Sequence, residues 1–205
     1  MKKKIILKSS ILAVAAGLSV FAINSVFADE LPVQFMGVND FHGALEQTGT
    51  ARLEGETVKN AGTAPLLATY LNDSQKDFET ENAGTPNASI RVQAGDMVGA
   101  SPAHSALLQD EPTVKVFNEM NFEYGTLGNH EFDEGLGEFN RIMKGEAPTP
   151  GQFNKIVDEY PHEASKQEVV IANLVDKDTN KIPFDWKPYT IKEIPVNDKT
   201  VKVGF

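Results

Sequence analysis

The strongest constraint on the fold is a set of short apolar runs that each stop at a cluster of Gly, Asp, Asn and His. "VQFMGV" (33 to 38) ends in "NDFHG", and "ASIRVQAG" (88 to 95) alternates Ile90, Val92 and Ala94 against Arg91 and Gln93 before Asp96. "YGTLG" (124 to 128) runs into "NHEFDEG", and "EVVIANL" (168 to 174) is a fourth such run. Period-two alternation and β-branched content over four to eight residues predict strands. Between them, Leu66, Leu67, Tyr70 and Leu71 follow Pro65, Val114, Phe117 and Met120 follow "DEP", and Leu136, Phe139 and Ile142 or Met143 follow "DEG". These recur at helical spacing, and strands alternating with helices predict an α/β architecture.

Turn chemistry marks the rest. "ETENAGTPNAS" (79 to 89) and "KGEAPTPGQ" (144 to 152) read as surface loops, and "YTIKEI" and "TVKVGF" around "NDK" read as a hairpin. No internal repeat or low-complexity tract is visible. The chain ends at Phe205 within a predicted strand, so a continuation beyond it is expected.

Residues 1–28 are read as a secretory signal: "MKKK" supplies a basic start, an apolar stretch follows, and Val26 and Ala28 suit cleavage before Asp29. Lys8, Ser9, Ser10, Ser19, Asn24 and Ser25 interrupt the apolar run, which leaves it short of a span of ~20 apolar residues. No membrane span is expected after cleavage. The remaining 177 residues carry 15 basic and 29 acidic side chains, a formal charge of −14 against −10 for the whole chain. That surface repels polyanions and argues against duplex nucleic acid as a partner, while a small anion could still be held locally by cations. No cysteine is present, so a metal site would have to use N and O ligands.

Three predicted strand ends carry "DFH" (Asp40, His42), "GD" (Asp96) and "GNHEFD" (Asn129, His130, Asp133). Alternate residues on an extended backbone face the same way, so Asp40 and His42 are expected to reach one ion together. Gly95 permits a sharp turn that projects Asp96 beyond the sheet, where a two-oxygen carboxylate can bridge two cations. Asn129 offers a neutral amide oxygen, and His130, one residue further on, is expected to aim elsewhere. A spacing of three puts His130 and Asp133 on one side of a turn. Each piece alone is ordinary loop composition, but three in order at three strand ends point to a metal site.

"VNDFHG", "VQAGDMVGAS" and "YGTLGNHEFDEG" resemble the first three blocks of the calcineurin-like metallophosphoesterases, in the exported 5'-nucleotidase and 2',3'-cyclic-nucleotide 2'-phosphodiesterase branch. The resemblance runs from about Val33 to the end, and the signal segment and the phrasing of the blocks look most like cell-wall-attached nucleotidases of Gram-positive cocci. It implies an αββα sandwich, of which residues 29–205 would be the N-terminal part of the catalytic domain, incomplete at its C-terminal end, with the nucleotide-binding domain still to follow. It implies two divalent ions such as Zn or Mn: Asp40 and His42 on the first, Asp96 bridging, Asn129 on the second. His130 would act on the phosphate, with Asp133 orienting it, and the substrate would be a small extracellular nucleotide. Such a cation pair activates water at neutral pH and neutralises phosphoryl oxygens during in-line displacement.

The family's later "GH" and "GHxH" blocks are absent from these 205 residues, which puts the activity of this chain alone in doubt. His104 and His162 are read as solvated histidines, and Glu131 and Glu134 as solvated charges at the start of a helix. Trp186 and Tyr189 are read as hairpin core, and Asn173 as a turn residue or a neighbour of the ligands. Against hydrolysis stands a surface binding or adhesion protein that keeps the fold without turnover. Attachment to the cell wall would lie beyond Phe205.

Overall fold

In the computed structural model, which describes residues 31–205, four parallel strands form the central sheet in the order β1-β4-β5-β6. These are β1 (Val33–Val38), β4 (Ala88–Gln93), β5 (Tyr124–Gly125) and β6 (Glu168–Val169). Phe35 lies beside Ile90, and Val92 beside Tyr124. The expected signal segment lies outside the described residues. Among the described residues, no helix is long and apolar enough to cross a membrane.

The helices follow their sequence signals. In α1 (Ala64–Glu81) the Thr63 hydroxyl accepts the Leu66 N–H at 3.3 Å, and Pro65 occupies the first turn, where its missing N–H costs nothing. The helix runs three residues into the segment expected to be a loop. The α3 helix (Glu111–Glu119) also carries a proline in its first turn, and α4 (Leu136–Lys144) stops at Gly145, whose φ of 62° terminates a helix without strain. Two single turns, α2 (Ala103–Ala106) and α5 (Lys155–Asp158), complete the helices.

Apolar faces of α1, α3 and α4 meet one side of the sheet in a core of Met36, Leu71, Met97, Val114, Phe117, Phe122, Phe139 and Ile142 with their neighbours. Phe117 is fully buried, with the rings of Phe41 and Phe122 at 5.1 and 4.6 Å. Burying one such side chain contributes about 1.5–3 kcal/mol. Trp186 packs on this core, its ring 5.9 Å from Phe139, in keeping with the packing reading. Tyr189 does not, since it is largely exposed. Elsewhere a groove of about 430 Å³ opens beside Phe35, Tyr124 and Phe205.

Two antiparallel hairpins accompany the sheet. The expected one, β7 (Ile191–Val196) and β8 (Lys199–Gly204), turns at Asn197 and Asp198. A second, β2 (Gly49–Leu53) and β3 (Glu56–Ala61), was not anticipated; it turns at Glu54 and Gly55, both with positive φ. Strands predicted over 124–128 and 168–174 shorten to two residues each. Beyond Gly125 the Thr126 carbonyl accepts the Gln93 side-chain amide, and beyond Val169 the Ile171 N–H turns to the Lys187 carbonyl.

Candidate metal and phosphate site

Three loops at the C-terminal ends of β1, β4 and β5 converge, which is where open α/β sheets present ligands. The first loop runs alongside the second through N–H donations from Asp40 to the Gly95 carbonyl (3.1 Å), His42 to Asp96 (3.0 Å) and Gly43 to Met97 (3.1 Å). Phe41, between the two candidate ligands, points into the core against Phe117, so the apolar middle of "DFH" anchors the polar flanks.

The backbone here is not the extended chain expected from the alternation. Asp40 has φ 54°, His42 φ 47° and Asp96 φ 53°, all left-handed, a region that Asp and His tolerate better than most residues but that still costs energy. The two side chains nevertheless meet, with His42 Nε2 3.9 Å from Asp40 Oδ1. The Asp40 carboxylate is more than half exposed and also accepts from the Asn39 amide.

His42 Nδ1 lies 2.8 Å from the Gly99 carbonyl oxygen, which can only accept, so the ring donates there and Nε2 is the nitrogen left to face the site. Together with oxygen-bearing Asp40 and Asp96, that is a donor set suited to a divalent cation, and the residues present fit the ions that the resemblance implies. Donor atoms of His42, Asp96 and His130 lie within 4.8 Å of one another. His130 is therefore not turned away from the cluster, and its ring packs edge-on against that of His42 with centroids 4.7 Å apart. Asp40 does not join that trio, and Asn129 is exposed at the head of the 3-10 turn His130–Phe132.

The turn also sets the expected pair: His130 Nδ1 lies 2.7 Å from Asp133 Oδ2. That hydrogen bond, with the charge of Asp133 and further charge from Asp96 and Glu131, raises the His130 pKa despite some desolvation. The imidazolium is thus favoured to a higher pH than for a free histidine, as a donor to an anionic oxygen requires.

Close approach of the loops depends on glycine. At Gly95, φ is 101° and a Cβ would lie 2.5 Å from the Gly128 nitrogen, so a side chain there would strike backbone.

Glu131, read as solvated, is 2% exposed. Its carboxylate accepts N–H groups from Asp96 (2.9 Å), Met97 (2.8 Å) and Gly128 (2.6 Å), which removes the cost of burying it. Glu134 is exposed as expected. His162 is not solvated either: its Nδ1 lies 2.6 Å from Glu111, which also pairs with Arg141 at 2.9 Å. His104 is exposed and pairs with Glu46, and Asn173 is exposed in a bend.

No family model matches the chain. It is 51% identical over 179 residues to the cell wall protein Lmo0130 of Listeria monocytogenes, covering 87% of this chain and 22% of that one. It is 31% identical over 129 residues to a 2',3'-cyclic-nucleotide 2'-phosphodiesterase/3'-nucleotidase of Salmonella typhimurium, covering 57% of this chain and 17% of that one. The solved structure of Haemophilus influenzae NAD nucleotidase superimposes with a TM-score of 0.54 at 25% identity, over 82% of this chain and 25% of that one. The chain belongs to the 5'-nucleotidase and 2',3'-cyclic phosphodiesterase family. Its fold is the metallophosphoesterase-type α/β fold of that family, of which it carries a part. It spans a quarter or less of the length of each of these nucleotidase-family and cell-wall relatives.

Proposed function

We propose that the protein is a di-metal phosphoester hydrolase acting on small extracellular nucleotides, as a 5'-nucleotidase, a 2',3'-cyclic-nucleotide phosphodiesterase or both. On this reading residues 1–28 direct export, residues 29–205 form the front part of the catalytic domain, and the protein resides at the cell surface or in the wall. The name of the Listeria relative supports the last point. The observation that carries the proposal is the convergence of His42, Asp96 and His130 donor atoms, with His130 held by Asp133.

Asp40 and His42 would hold one cation, Asp96 would bridge, and Asn129 would complete the second position. Two divalent ions such as Zn or Mn would supply an activated water and charge neutralisation at the phosphoryl group. His42 donates to Gly99 and so presents Nε2 in one fixed orientation. His130, kept protonated by Asp133, donates to a phosphoryl oxygen or to the leaving alkoxide, while Asp133 fixes which ring nitrogen faces the substrate.

The test is phosphate release from 5'-AMP and 3'-AMP, and ring opening of 2',3'-cyclic AMP to the nucleoside monophosphate, by the full-length protein with added Mn or Zn, with a chelator control. Chelator-sensitive turnover is expected. Metal binding without turnover of any of the three would instead favour a surface binding protein that retains the fold.

A further inference from the structure

Glu131 joins two of the three loops through a single oxygen. Its Oε2 accepts from the N–H of Asp96 at 2.9 Å, after β4, and from the N–H of Gly128 at 2.6 Å, after β5. Oε1 accepts from Met97 at 2.8 Å. In return, Asp96 Oδ1 accepts the N–H of His130 at 2.8 Å, so residue 96 and the 130–131 dipeptide hold each other through two reciprocal bonds. The carboxylate has no ion-pair partner among the described residues and is shut from water. Its three hydrogen-bond donors are all backbone N–H groups of the loops that carry the candidate ligands.

Only a carboxylate of this length suits that position. It is acceptor-only and offers lone pairs on both oxygens, so it can take three N–H groups from two directions. A glutamine would turn an NH₂ toward one of the same N–H groups, and an aspartate, one methylene shorter, would not span both loops. The glycine contact between residues 95 and 128 brings the loops together but does not set their rotation. Glu131 does, because its three bonds arrive from three separate peptide planes on two loops.

We propose that Glu131 is a positioning residue that sets the separation of Asp96 from the Asn129–His130 arm, and with it the spacing of two cations held between them. This rests on the two-cation reading above. A carboxylate that served the fold alone would leave metal affinity and cation spacing unchanged once the protein had folded.

The experiment uses the full-length protein with Mn²⁺ as the probe, comparing wild type, Glu131→Gln, Glu131→Asp and, as an exposed control, Glu134→Gln. Calorimetric titration gives stoichiometry and affinity, the exchange coupling in the Mn–Mn electron paramagnetic resonance spectrum reports spacing, and melting in chelator reports the fold. Wild type and Glu134→Gln should bind two Mn²⁺ with the same coupling. Both Glu131 variants should melt cooperatively in chelator yet bind at least one Mn²⁺ about 10- to 100-fold more weakly, with altered coupling. Wild-type affinity and coupling in a folded Glu131→Gln would overturn the positioning role while leaving the two-cation reading standing. Unfolding of both Glu131 variants in chelator would assign the residue to the fold and overturn it too. Fewer than two Mn²⁺ in wild type would overturn the two-cation reading, and this inference with it.

Discussion

The backbone N–H of His130 donates to Oδ1 of Asp96 at 2.8 Å, so the proposed phosphate-binding histidine and the proposed bridging carboxylate cannot move apart independently. One carboxylate thereby has two tasks, orienting a neighbouring loop with one lone pair while the others remain for cations.

Asp96→Asn tests the second task in isolation, because an asparagine oxygen can still accept the His130 N–H but brings no charge to a bridge. Bound metal per chain, read by elemental analysis, should fall below two, and nucleotide hydrolysis should drop to the level of the chelated protein. Two ions retained with normal turnover would refute the bridging role.

His130→Ala should lower kcat by about 10² to 10⁴ while metal stoichiometry stays near wild type. Because the ring also lies among the converging donor atoms, loss of one ion in this variant would make His130 a ligand. Asp133→Asn should lower kcat in the same direction by less.

Gly95→Ala forces a Cβ to within 2.5 Å of the Gly128 nitrogen at a φ of 101°. Overpacking against backbone costs about 1–3 kcal/mol, and the left-handed φ adds to it. Urea denaturation should show the loss, with metal binding weakened in parallel because the two loops are pushed apart.

Arg141 sits between Glu111 and Glu138, bonding to them at 2.9 and 2.7 Å with little exposure. Arg141→Ala takes the guanidinium from buried Glu111, which keeps only His162, and from part-buried Glu138, and should destabilise by about 3 kcal/mol. Arg141→Lys cannot reproduce the forked contact and should recover only part of the loss in the same denaturation assay.

Glu168 accepts from Lys187 and from Thr190, and these bonds, the lysine first, hold its pKa below the ordinary 4.5 despite partial desolvation. A carboxylate with a lowered folded-state pKa contributes stability that is present above the unfolded value and is lost as pH falls through the folded one. Melting temperature should therefore decline below about pH 4.5 more steeply in wild type than in Glu168→Gln, and equal slopes would contradict the assignment.

Much of this was legible before the fold was known. The β1 strand and the turns of α1, α3 and α4 follow from local periodicity and proline placement, and Asp40, His42, Asp96, His130 and Asp133 from polar clusters at strand ends. Glu131 and His162 were misread because their partners lie up to 35 and 51 positions away, and no local pattern marks one acidic or imidazole side chain as buried. The β2–β3 hairpin did leave a signal, Glu54-Gly55 between two short runs containing Thr50, Leu53, Thr57 and Val58, but its strands lack the clean alternation of a half-buried pair. Left-handed backbone at Asp40 and His42 was invisible because it is imposed by the neighbouring loop, to which both donate.

That hairpin has a further consequence. All its strand residues except Ala51 and Ala61 are exposed, and its base is closed by the Ala64 N–H on the Leu45 carbonyl at 2.9 Å. Length changes beyond a closed base cost little, since loop entropy grows only logarithmically. The stretch between residues 45 and 64 is thus a port for variation: pieces can be grafted in or trimmed away a few residues from His42 while the loop that carries it stays fastened at both ends.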